Sequence, residues 1–208
     1  MPHSTSICSN TITFYGDSIF DNRPYVARHE DTVEAWAAKL ISNPTRMKAV
    51  DGHTTTDLLE ILESLPKKID PKESAVISIG GNDALQSRWV LQQPTQSVGL
   101  AFHELQPILN IFRKNYTMVL ESLLEHFELR NLRVCTIYNG IPDLPTEART
   151  ALGLFNDIIT EEAGLRSIRV IDLRVICAEP ECYSDISSIE PSSIGAQRIT
   201  EAVRQAFS

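Results

Sequence analysis

Positive charge is in short supply. The 208 residues hold 19 Lys and Arg against 27 Asp and Glu, a formal net charge of −8. No basic run offsets the deficit, and a surface of this sign repels phosphate backbones and anionic membrane faces. Neither nucleic acid nor such a membrane is expected as a general partner. Long apolar runs are also missing: nothing approaches the roughly 18 residues that a membrane helix needs. The opening residues, MPHSTSICSN, carry neither the basic start nor the apolar core of a signal peptide. The expectation is a soluble cytoplasmic protein. Its four cysteines (Cys8, Cys135, Cys177 and Cys182) form no C-x-x-C pair and no zinc-ligand spacing. Cys135 lies in an apolar run and reads as a small core side chain, and no disulfide is expected between Cys177 and Cys182 in the cytosol. There is no P-loop, no G-x-G-x-x-G and no metal-ligand cluster, so no cofactor is implied.

What is present is a regular alternation. The apolar runs Thr11–Tyr15, 45–50, Ala75–Ile79, Leu132–Tyr138 and Ser167–Leu173 read as strands. Between them lie stretches with apolar residues at helical spacing: 33–41, Thr54–Leu65 with Thr56 as its cap, Glu147–Glu162 and a closing helix over Ile194–Phe207. A long amphipathic helix is expected from Ser97 to Phe127, interrupted near Pro107, with 84–95 irregular before it. Strand and helix in alternation mean a mainly five-stranded parallel sheet covered on both faces, a three-layer α/β/α sandwich. With no internal repeat and no linker, residues 1–208 read as a single domain.

Three of these strands end in glycine followed by polar residues: Gly16-Asp17-Ser18, Asp51-Gly52-His53 and Gly80-Gly81-Asn82-Asp83. Open α/β sheets place their ligands at that carboxyl rim. Ester hydrolysis by a serine needs an exposed nucleophile, a base and donors for the developing oxyanion. Ser18 is the candidate nucleophile. Its own N–H, the N–H of Gly52 and the side-chain amide of Asn82 can converge as an oxyanion hole; Gly52 lets substrate approach closely, and Asn82 donates without titrating. Asp17 reads as a turn-fixing residue, and Asp172 as a cap or a partner of Arg174.

GDSI at 16–19, Gly52 after a strand, and GGND at 80–83 resemble blocks I, II and III of the SGNH (GDSL-type) hydrolases in order and spacing. The likeness spans nearly the whole chain and implies a flavodoxin-like sandwich. It also implies Ser18 as nucleophile and an oxyanion hole of Ser18, Gly52 and Asn82. The chain departs from the family at block V. There the family reads Asp-x-x-His before Pro-Ser; here Ser187 and Glu190 stand at the two positions, followed by Pro191-Ser192 and Gly195. In this it resembles a subgroup reading Ile-Glu-Pro-Ser, together with GDSIFDN, GGNDAL and Phe155-Asn156-Asp157. Glu190 is the first candidate for the base and His53 the second, whereas His3, His29, His103 and His126 have no motif around them.

Two functions from different classes follow. One is a serine esterase that cleaves a small acyl or carbohydrate ester through Ser18. The other is a catalytically impaired relative that binds an acyl or sugar ligand in the same pocket. A flavodoxin-like nucleotide binder fits less well, because DSIFDNRP makes a poor phosphate cradle.

Overall fold

The computed structural model describes residues 10–66 and 69–208; His3 and Cys8 lie outside the described residues. Five strands form one parallel sheet: β1 (Ile12–Gly16), β2 (Thr45–Met47), β3 (Ser74–Ser78), β4 (Leu132–Cys135) and β5 (Arg169–Ile171). Their order is β2-β1-β3-β4-β5. Every residue of β1, β3 and β4 is buried, whereas the edge strands β2 and β5 are partly open. That explains why the three central strands read as unbroken apolar runs.

Among the described residues, seven α-helices flank or follow the strands: α1 (Val33–Leu40), α2 (Thr55–Glu63), α3 (Gly81–Gln86), α4 (Val98–His126), α5 (Thr146–Leu165), α6 (Leu173–Ile176) and α7 (Ser193–Ala206). α1 packs on α7, and α4 packs on both α2 and α5, with helices covering both sides of the sheet. The stripes foreseen from helical spacing are what is buried. α2 packs on α4, and Leu58 and Leu62 of α2 and Tyr116, Val119, Leu120 and Leu123 of α4 are all 0–1% exposed. Each such side chain contributes roughly 1.5–3 kcal/mol.

Local chemistry sets the boundaries. The Thr32 hydroxyl accepts the Ala35 N–H at 3.1 Å and starts α1. α2 begins two residues earlier than Thr56 as its cap would place it. Thr54 is its cap, and Asp57 returns the favour by accepting the Thr54 N–H at 2.7 Å. Pro107 does not interrupt α4, which runs unbroken past it. Residues 103, 104, 106 and 107 all face solvent, so water can satisfy the carbonyl that loses its N–H partner there. Nor is 84–95 wholly irregular: α3 runs to Gln86 and a 3-10 turn covers Arg88–Gln92. Cys135, Cys177 and Cys182 are buried free thiols.

The position of the site follows from connectivity. From β1 the chain moves outward to β2, then returns across β1 to place β3 on its other side. β1 and β3 therefore flank the point where the strand order reverses, and loops leaving them diverge to open a crevice. Gly16 pairs with Ser78 across that seam. Its φ is +143°, and a Cβ there would sit 1.8 Å from the Ser78 carbonyl oxygen, so only glycine allows the first loop to leave where it does.

Candidate active site

The loop after β1 is wound around Asp17. The Asp17 carbonyl accepts the Phe20 and Asp21 N–H groups at 3.1 and 3.0 Å, and its carboxyl accepts the Ile19 N–H at 3.1 Å. This is the turn-fixing role read from the sequence. Asp17 is 1% exposed, and its second carboxyl oxygen is buried without a partner among the described residues. Burial pushes its pKa up to about 8; the Ile19 N–H works against that shift, and the nearby Glu190 charge adds to it. The wound loop leaves Ser18 at the crevice, 7% exposed. No protein acceptor occupies the Ser18 N–H among the described residues.

The second loop is tied at both ends. Asp51 gives its N–H to the Asp21 carboxylate at 3.1 Å and accepts the Tyr25 hydroxyl at 2.8 Å. The next tie is at His53, whose carbonyl accepts the Asn82 side-chain amide at 2.9 Å. Gly52 lies between these ties, so the loops carrying Ser18, Gly52 and Asn82 are joined at one rim. The reason for glycine differs from the one expected. A Cβ at position 52 would meet nothing within 4 Å, and φ is +85°. The turn needs the left-handed backbone, and the open space in front leaves the N–H accessible. Asn82 spends one amide hydrogen on His53 and keeps the other. Its neighbour Asp83 holds α3 to α2 through the Thr55 N–H at 3.0 Å and the Thr55 hydroxyl at 2.6 Å.

Glu190 comes from the far end of the chain and is 6% exposed. The Ser18 hydroxyl lies close enough to its carboxylate to lower its pKa, and one carboxyl oxygen, Oε2, is buried without a hydrogen-bond partner among the described residues. Burial raises the Glu190 pKa from 4.5 to about 7; the nearby Ser18 hydroxyl holds it down, and the Asp51 charge lifts it further. Two long-range bonds and one local bond fix the segment around it. Asn22 donates to the Pro191 carbonyl at 3.1 Å, the Tyr138 hydroxyl donates to the Ile189 carbonyl at 2.7 Å, and Ser184 gives its N–H to the Glu190 carbonyl at 2.8 Å. Asn22 also accepts the Val33 N–H at 2.9 Å, linking the start of α1 to the Glu190 loop. Ser187, at the position where the family carries aspartate, offers only its carbonyl, to the Glu190 N–H at 3.0 Å.

Ser18, Asn82 and Glu190 line one cavity of about 120 Å³, shared with Asp17 and Tyr138. Gly52 is outside its lining, and so is every described histidine. His53, the second candidate for the base, does not line the cavity that holds Ser18. Away from Ser18 the walls are apolar, built by α4 and α5. A buried asparagine shapes this end: Asn156 accepts the Ile137 N–H and donates to the Ile137 carbonyl, both at 2.8 Å. The roles of Asn22, Tyr138 and Asn156 were not read from the sequence, although Asn22 and Asn156 fall within the GDSIFDN and Phe-Asn-Asp segments. Asp172 caps α6 and pairs with Arg174 at 2.7 Å, away from the cavity. Among the described residues, no group of three or more His, Cys, Asp or Glu is placed to hold a metal ion, and no helix is long and apolar enough to cross a membrane.

Comparison with known proteins agrees with this picture. The model of a GDSL-like lipase/acylhydrolase family matches residues 14–198. Among solved structures, a member of the lipolytic G-D-S-L family from Veillonella parvula superposes with a TM-score of 0.70 at 14% identity, covering 95% of this chain and 97% of that one. A lipase from a goat rumen metagenome gives 0.70 at 20%, with the same coverage. An acetylxylan esterase from Geobacillus stearothermophilus, solved as a catalytic mutant, gives 0.66 at 16%, covering 96% and 94%. None of the curated proteins matches.

Proposed function

The chain belongs to the GDSL-like lipase/acylhydrolase family, and we propose that it acts as a serine esterase in which Glu190 takes the place of the usual histidine base. In the acylation step the Ser18 hydroxyl oxygen attacks the ester carbonyl carbon while its proton passes to the Glu190 carboxylate. The negative charge on the former carbonyl oxygen is met by the Ser18 and Gly52 N–H groups and the free amide hydrogen of Asn82. Collapse of the tetrahedral intermediate breaks the bond to the alcohol, which leaves with the proton from Glu190. Water then attacks the acyl-serine, gives its proton to Glu190, and releases the acid as Ser18 recovers its hydrogen.

The observation that supports this reading best is that the Ser18 hydroxyl shares its cavity with a buried carboxylate whose pKa lies near 7 and which feels that hydroxyl. A free glutamate, at about 4.3, is a poor acceptor for a serine proton; one raised toward neutrality matches the working pH of a general base. A purely binding descendant would have no use for three oxyanion donors beside a hydroxyl. A fluorophosphonate tests this directly. It should label the wild-type chain covalently and fail on Ser18→Ala. A folded wild-type chain that resists the label and hydrolyses none of a panel of simple esters would assign the crevice to ligand binding instead.

A further inference from the structure

The crevice does not end at the polar rim. Its inner cavity runs from Ser18 between α4 and α5, where Leu105, Ile108, Leu152 and Phe155 supply apolar walls. Beyond lies a second, more open groove of about 600 Å³, lined by Val98, Phe102 and Leu154. Leu91, Leu105 and Ala151 line both spaces and so form the partition between them. Sugar hydroxyls would find few partners along such walls, whereas a hydrocarbon chain would leave water at every methylene. The leaving alcohol must stay beside Glu190, which protonates it, and Glu190 and Ile189 form the near edge of the cavity. The end between α4 and α5 is thereby left to the acyl chain.

We propose that this enzyme is selective for medium-length, unbranched acyl groups, with Leu105 and Ala151 as the partition that sets the preferred length. The inference rests on the hydrolase reading and adds to it the chemical class of the acyl group. It departs from the expectation of a small acyl or carbohydrate ester. Short chains leave the inner cavity unfilled, and long ones must pass the partition into the outer groove.

Two measurements separate this inference from the reading beneath it. The first is kcat/KM for 4-nitrophenyl acetate, butyrate, octanoate and dodecanoate. Each methylene buried is worth about fourfold, from ~0.8 kcal/mol, so octanoate should exceed acetate by at least about tenfold, with dodecanoate below octanoate. Ala151→Phe, which fills the end of the inner cavity, should lower the octanoate-to-acetate ratio about tenfold. Leu105→Ala, which opens the partition, should move the maximum toward dodecanoate. The second is calorimetric binding of octanamide and acetamide to Ser18→Ala, which needs no turnover; octanamide should bind more tightly, and Ala151→Phe should remove the difference. Acetate as the best ester, with equal binding of the two amides, overturns the acyl proposal and leaves the esterase standing. Tight octanamide binding by a chain that hydrolyses no ester keeps the acyl pocket and removes the esterase. A series of acetates in which only the alcohol's length changes the rate would show that the cavity holds the alcohol, and would overturn the proposal too.

Discussion

Replacing Glu190 by glutamine changes one atom and removes one titration. Positioned general bases contribute 10²–10⁴-fold, so kcat/KM on a good ester should fall by about that much in Glu190→Gln. The wild-type profile should be half-maximal near pH 7 and flat above about pH 8, because the base must be ionised and its pKa is about 7. Stability should move in the opposite direction. The folded chain holds the Glu190 proton more tightly than the unfolded chain, whose pKa is near 4.5. Between those values the native state binds more protons than the unfolded state, so stability falls as pH rises from about 4.5 to 7. A carboxyl carried from 4.5 to about 7 gives up about 3 kcal/mol of native stability once both states are ionised. Glutamine escapes that loss. Glu190→Gln should therefore match wild type in urea unfolding at pH 4.5 and exceed it at pH 8, by up to about 3 kcal/mol less the value of the interaction with the Ser18 hydroxyl. Wild-type kcat/KM in Glu190→Gln across pH 5–8, together with a stability difference that does not change with pH, would refute both the role and the burial argument.

Asn82→Ala should lower kcat/KM by about 10²–10³ through loss of an oxyanion donor. Its unfolding midpoint should shift only slightly, because the amide's protein bond is a single one to the half-buried His53 loop; unchanged turnover would make the amide a loop tie and nothing more. Asn156→Ala strands the buried N–H and carbonyl of Ile137. At about 1–3 kcal/mol for each of the two unsatisfied groups it should destabilise by roughly 2–6 kcal/mol in chemical unfolding, and a loss under about 1 kcal/mol would mean that water replaces the amide.

Much of the fold was legible because the residues that define it act locally. β1 and β3 are buried along their whole length, so their apolar runs carry no competing pattern. α2 and α7 show their stripes because one face is covered and the other is wet. Where the reading went astray, tertiary context had overridden a local rule. Pro107 breaks a helix on average, but here its missing bond falls on the solvent side of a helix held by α2 and α5. α3, at six residues, is too short to display any stripe.

The candidate site divides along the same line. Ser18, Gly52 and Asn82 could be named as candidates because each sits in a short glycine-bearing turn whose chemistry is written within four residues. Glu190 was legible as a residue but not as a chemical group. Nothing in Ile189-Glu190-Pro191 says that the side chain is buried. Its burial is made by Asn22, 169 positions from Pro191, and by Tyr138, 51 positions from Ile189. These bonds draw the loop down onto Ser18, and the loss of water around the carboxylate then lifts its pKa from 4.5 to about 7. The same three residues in an open loop would carry an ordinary glutamate, ionised at neutral pH and too weak to take a serine proton. The basicity proposed for Glu190 is thus a property of the packed loop. By this reasoning the loss of histidine at block V need not be the loss of catalysis, since a desolvated carboxylate beside Ser18 reaches the same pH range that an imidazole occupies in water.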